Sequence, residues 1–167
     1  MKSIFITLLS LSITFSLFSQ DKNQKTYPTI NGFIGTAIPI LSLSNGGMSS
    51  NFDKSTTLAF PFGFNLNKSE KFSYSVELDP IITFKNEGSS LTNLAILPGI
   101  LLHANHFTYG VKAAFEINGR YGASLSLLRN IFKGDSFGIV VGLPLDLRFG
   151  NSLPFSAGTG LIVVLTI

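Results

Sequence analysis

From about residue 29 onward, hydrophobic residues fall on every second position through most of the chain. In Thr57–Leu66 (TLAFPFGFNL), Leu58, Phe60, Phe62, Phe64 and Leu66 alternate with Thr57, Ala59, Pro61, Gly63 and Asn65. Phe72–Lys85 (FSYSVELDPIITFK) sets Phe72, Tyr74, Val76, Leu78, Ile82 and Phe84 against a polar series broken only by Ile81. Phe107–Asn118 and Phe137–Gly150 repeat the pattern, with Lys112 and Glu116, then Asp146 and Arg148, in their polar series. Successive side chains of a strand point to opposite faces, so a period of two predicts strands with one apolar face.

Weaker alternation fills the intervals. Thr29–Leu41 groups Ile30, Ile34, Ile38 and Ile40, and Phe155–Ile167 groups Leu161, Val163, Leu165 and Ile167. Leu91–Leu102 is apolar on both faces, with Asn93 and Gly99 marking the inner one. Tyr121–Leu128 is the sixth strand of the series. Leu125, Leu128 and Phe132 also lie near helical spacing, so a short helix over 123–132 is an alternative there. Turn signals such as SNGG, NKSEK, NEGSS and NGR separate the segments. The expectation is eight antiparallel strands.

The first twenty residues, MKSIFITLLSLSITFSLFSQ, read as a cleaved export leader: Lys2, an apolar run to Phe18, and small Ser19 at the cleavage site. The run is too short for a spanning helix. The expected organisation is leader 1–20, a short periplasmic segment 21–28, and a barrel over 29–167.

Alternation alone fits either a soluble, lipocalin-like barrel, with its apolar face inside, or a membrane barrel, with that face on lipid. Composition separates them. Only 13% of the 167 residues are charged, against 45% hydrophobic, where a soluble domain carries roughly 25% charge. The charges within strands are few and mixed in sign, Glu77, Asp79, Lys85, Lys112, Glu116, Asp146 and Arg148, which suits a paired interior. The polar face is rich in Gly, Ala and Ser, the size a narrow lumen needs. Aromatics gather at strand ends (Phe72, Tyr74, Phe84, Phe107, Tyr109, Tyr121, Phe137, Phe149, Phe155), as interfacial girdles do. The membrane barrel is the better fit. A net charge of +3 with no basic cluster gives no support for nucleic acid. With no cysteine there is no disulfide and no lipid-anchored cysteine.

A leader, eight amphipathic strands and a closing LIVVLTI resemble the small eight-stranded outer-membrane β-barrels of Gram-negative bacteria, the OmpA/OmpX-like class. The resemblance is one of pattern over the whole mature chain. It implies an all-β, up-and-down transmembrane barrel in the outer membrane, with the lipid bilayer and the outer-membrane assembly machinery as partners. Many such proteins end on an aromatic, whereas this sequence ends on Ile167. Connections 67–71, 103–106 and 129–136 would be periplasmic, and 42–55, 85–91, 118–120 and 150–154 extracellular.

Three groups of residues carry candidate chemistry. Strand offsets predict two ion-pair layers inside the lumen, Glu77 and Asp79 with Lys112 at mid-height, and Glu116 and Asp146 with Arg148 nearer the outer mouth. A packed network is the favoured reading, a selectivity filter or catalytic carboxylate pair the alternative. His103 and His106 share one turn, HANH. Catalysis would need one of them beside a serine and an acid, and two ligands alone make a weak metal site. No enzyme chemistry, cofactor or metal is expected; the functional alternative is a lipid A acyltransferase or deacylase. Finally, Pro39, Pro61, Pro80, Pro98 and Pro144 lie inside predicted strands. Proline lacks a ladder donor and a closed sheet has no edge to host it, so each predicts a local bulge or gap.

Overall fold

The computed structural model describes residues 26–53 and 55–167. The leader and residues 21–25 of the N-terminal segment lie outside the described residues. Among the described residues ten strands are formed where eight were expected: β1 (Thr29–Ser44), β2 (Gly47–Ser50), β3 (Thr56–Ala59), β4 (Phe62–Asn67), β5 (Phe72–Lys85), β6 (Gly88–Ala104), β7 (Phe107–Glu116), β8 (Tyr121–Lys133), β9 (Gly138–Phe149) and β10 (Ser156–Thr166). They build one antiparallel sheet in which each strand from β5 to β9 pairs with its successor. The sheet closes because β1 also pairs with β10, from Phe33↔Thr166 to Ser44↔Ser156.

The two extra strands have a local origin. β2, β3 and β4 pair with β1 one after another along a single flank, through Leu41–Ser44, Ala37 and Thr29–Ile34 respectively. Pro61 separates β3 from β4. Its ring nitrogen donates nothing to a ladder, yet the backbone stays tied on both sides, Gly35 N donating to Pro61 O at 2.7 Å and Phe60 N to Pro80 O at 3.0 Å.

The sixth expected strand is a strand and not a helix. β8 runs through Lys133, paired with β7 on one flank and β9 on the other, so hydrogen bonds to two neighbours override its helical spacing. The connection expected at 129–136 therefore shrinks to the turn after Lys133. The connection expected at 85–91 is the tip of a long β5–β6 hairpin, and the loop expected at 42–55 is largely the β1–β2 hairpin. We call the end with turns 68–71, 105–106 and 134–137 proximal, and the opposite end distal.

The faces divide as alternation requires. Ile34, Phe62, Phe64, Tyr74, Val111, Leu125, Leu143 and Val163 point away from the sheet's axis and are exposed, while Ser73, Ser75, Glu77, Asn93, Thr108 and Ser124 point inward and are buried. The interior is nonetheless not uniformly polar. Phe33, Val140, Ile162 and Val164 form a buried apolar cluster flanked by Ala37 and Leu128, and Ala95, Leu97 and Ala114 form another.

Glycine makes the narrow interior possible. A Cβ on Gly99 would come within 2.5 Å of Lys112 Cα and 2.6 Å of its Cγ, and one on Gly63 within 3.0 Å of Phe33 Cζ. The two largest inward side chains at mid-height thus lie against residues that have none.

Candidate functional site

The lumen holds a cavity of about 270 Å³ lined by side chains from every part of the sheet. Its chemistry follows from strand register. Ser75, Glu77 and Asp79 occupy successive inward positions of β5. Lys112 on β7 lies one strand beyond Gly99, which itself pairs with Ser75. The lysine side chain crosses that glycine-lined space and its Nζ forms an ion pair with Glu77 Oε2, both side chains buried. Phe33 lies against the same ammonium, 5.7 Å from Nζ to the ring centroid. Mid-height is thus one cation shared by a carboxylate and an aromatic face.

The distal pair is built on Arg148. Its Nε donates to Glu116 Oε1 at 2.7 Å and its Nη2 to Asp146 Oδ1 at 3.2 Å. Nη1 donates to the carbonyls of Ala123 and Leu147, and Asn93 Nδ2 donates to the second Glu116 oxygen at 2.7 Å. The guanidinium fork is therefore satisfied by carboxylate and backbone together, as a buried charge requires. Above it Arg120 donates from Nη2 to Arg148 O, Pro154 O and Ser156 Oγ, tying the β7–β8 turn to β9 and to the segment entering β10.

The six expected lumen charges all face inward, grouped as Glu77 with Lys112 and as Glu116 and Asp146 with Arg148. Asp79 forms no ion pair with Lys112 or Arg148. Its Oδ1 is buried without a partner among the described residues, as are Asn65 Oδ1, Ser75 Oγ and Arg120 Nε. Arg120 and Phe33 were not singled out from sequence. Phe33 falls on the inward series of Thr29–Leu41, so the signal was present. Arg120 belongs to a turn held by Gly119 at φ +86°, and which way a turn residue reaches is not written in any periodicity.

His103 and His106 part company. His106 is exposed in the turn. His103 points inward, with Nε2 at 2.8 Å from Ser73 Oγ and Nδ1 at 2.9 Å from Thr108 Oγ1. Donor assignment runs outward from Asn67, whose Nδ2 donates to Thr29 Oγ1 and Asn31 Oδ1, so its Oδ1 accepts from the Ser73 hydroxyl at 2.6 Å. With its proton committed there, Ser73 accepts from His103 Nε2–H, and Nδ1 accepts from Thr108. That tautomer is the wrong one for a base acting on the serine. No carboxylate joins the chain, and no cluster of three or more metal-ligating side chains occurs among the described residues.

The prolines sit at irregularities of the sheet. The β1–β10 register shifts between Pro39 and Leu41, and the β5–β6 register shifts between Ile81 and Ile82, just beyond Pro80. Leu97 and Pro98 have no partner on β7, and Leu143 and Pro144 none on β10. Pro61 interrupts the strand outright.

No family model matches the chain and no curated protein matches it. Among solved structures, it is similar to the de novo designed TMB2.3, at 12% identity and a TM-score of 0.42 over 83% of this chain and 95% of that one. It is also similar to outer membrane protein AlkL, determined in DMPC lipid bilayers, at 12% identity and a TM-score of 0.37 over 89% and 92%. Likenesses of this size establish no family.

Proposed function

We propose that the chain is an integral outer-membrane β-barrel protein of eight staves, β2, β3 and β4 being successive lengths of one stave. It is exported through a cleaved leader and has a structural or interaction role. The inversion of its faces carries this reading. A closed sheet with ion pairs inside and Phe, Leu, Ile and Val outside has its apolar surface satisfied only by lipid. Strand length agrees: the ten residues of β7, tilted by roughly 40°, rise about 25 Å, the height of a barrel's apolar band. Aromatic clusters stand at both ends, Phe72 with Tyr74 and Phe132 with Phe137 proximally, and Tyr121, Phe149 and Phe155 distally. A soluble ligand-binding barrel would leave that band in water.

Wide diffusion does not fit an interior filled by Phe33, Leu101, Leu128, Val140 and Ile162. The role is weakly porin-like at most, and planar-bilayer recordings should lack large conductance steps. Fractionation tests the assignment. The protein should partition with the outer membrane and run faster on a gel unheated than boiled; recovery in the soluble periplasmic fraction would refute it.

The proline-linked gaps favour one second reading, a barrel that admits lipid sideways for modification in the manner of the lipid A acyltransferases. His103 gives it no catalytic base. Lipid A mass spectra from cells with and without the protein should be identical, and a new acylation pattern would establish the enzyme.

A further inference from the structure

The space between the two ion-pair layers is walled by small residues. Asp79 lies one inward position distal of Glu77 on β5, and Asp146 one inward position proximal of Arg148 on β9. Each layer thus turns a further carboxylate toward the other. Asp79 pairs with Ala95 on β6, and Asp146 lies between Ser124 on β8 and Gly158 on β10. Ala37, Ala59 and Gly160 continue the wall. Going round the ring, β6, β7 and β8 separate β5 from β9 on one side, and β10, β1 and the β2–β4 stave separate them on the other. The two aspartates therefore face each other across the cavity that both of them line. The charges acting on Asp79 are those of Glu77, Lys112 and Asp146, and its Oδ1 has no partner among the described residues. Asp146 keeps 38% of its side chain exposed despite its bond to Arg148. Ser75, 2% exposed, turns an equally unpartnered hydroxyl into the same cavity.

The two layers set four carboxylates, Glu77, Asp79, Glu116 and Asp146, against two bases, Lys112 and Arg148. Charge enclosed by a sheet needs a counter-charge. A bare metal ion does not suit the donors: no three metal-ligating side chains converge among the described residues, and carboxylates on opposite staves do not fill the coordination shell of a hard cation. What fits is positive at both ends and apolar between. We propose that the chamber between the ion-pair layers binds a short aliphatic diamine, with one ammonium on Asp79, the other on Asp146, and its methylenes against Ala37, Ala59 and Ala95. The site rests on the membrane-barrel reading above. The apolar cluster of Phe33, Val140, Ile162 and Val164 lies on its proximal side, so the ligand enters from the distal end, past Ser42 and Gly158.

The test uses the full mature chain folded into phosphatidylcholine vesicles, whose surface carries no net charge. Flotation and the heat-dependent gel shift first report insertion; a chain that does not insert overturns both readings. 1,4-Diaminobutane is then titrated and the urea midpoint of unfolding followed, since a ligand of the folded state alone raises it. The midpoint should rise and saturate. Butylamine, with one ammonium, should need a concentration about ten-fold higher or more. Asp79→Asn and Asp146→Asn should each raise the half-saturating diamine concentration by a similar factor. Asp146 also touches Arg148, so Asp79→Asn decides the matter where Asp146→Asn fails to insert. Glu87→Gln, in the distal β5–β6 turn, should change nothing. Normal insertion with no saturable rise refutes the site and leaves the membrane reading standing, and full diamine binding by Asp79→Asn refutes it too. A rise reproduced by magnesium chloride at equal charge would make the occupant a hydrated cation. A loss in Glu87→Gln equal to that in Asp79→Asn would make the effect one of surface charge; either overturns the proposal.

Discussion

At the scale of the residue, the interior is a set of charges whose worth depends on their partners. Removing one member of a buried pair leaves the other uncompensated, at a cost of about 3–5 kcal/mol, whereas replacing both with apolar groups is often neutral. Lys112→Met should therefore lower unfolding free energy in vesicles by about that amount, and Glu77→Leu/Lys112→Met should recover most of it. Urea titration of the three proteins checks this, and a double variant no better than the single would dismiss the ion pair as a structural element. Asp79→Asn should be neutral or stabilising in the same titration, because Asp79 Oδ1 has no partner to lose among the described residues. Alternation placed all six charges on the inward side, since facing depends only on parity. That Asp79 forms no ion pair among the described residues was not legible. It depends on how far Lys112 reaches across the lumen, and that is set by Gly99, a residue three strands' worth of pairing must bring into place.

At the scale of the element, proline position was readable and its consequence was not uniform. Pro39 and Pro80 sit by bulges, Pro98 and Pro144 by unpaired stretches, and Pro61 by a full break. The outcome depends on which neighbour the missing N–H would have faced, a matter of register that no single strand encodes. If the β6–β7 gap arises from the absent donor, Pro98→Val should slow amide hydrogen exchange at Ala113, whose N–H faces β6. Unchanged exchange would place the cause in the Ala113–Ala114 segment instead. The eight-strand expectation divided into ten for the same reason: Pro61 splits one amphipathic run without altering its parity, so Phe60, Phe62 and Phe64 read as continuous. β8 teaches the converse. Leu125, Leu128 and Phe132 satisfy helical spacing, but the bulge at Ile131 shifts the phase of the strand, and a phase shift in a strand mimics a longer period.

At the scale of the whole molecule, the membrane proposal makes the cost of change depend on position relative to the lipid slab. Val111 is exposed at mid-height of the outward face, paired with Ile100 and Leu125. Val111→Arg should cost about 2–4 kcal/mol in vesicles, while Asn118→Arg at the distal rim should cost about 0–1 kcal/mol. Equal penalties, measured by urea unfolding, would deny that the outward face meets hydrocarbon.

The closing pair of strands also dictates an order of events. Phe33 meets Thr166, so the first strand waits with an unpaired flank until the last has been synthesised and delivered. Contacts this distant in sequence form slowly, because loop closure must precede any gain from pairing. Throughout that interval β1 and β9 present bare backbone edges, the surfaces through which chains join one another instead of themselves. A chain cut before Ser156 should consequently sediment as aggregates from refolding mixtures in which the intact protein inserts. What makes the finished sheet edgeless leaves both of those edges bare until they meet.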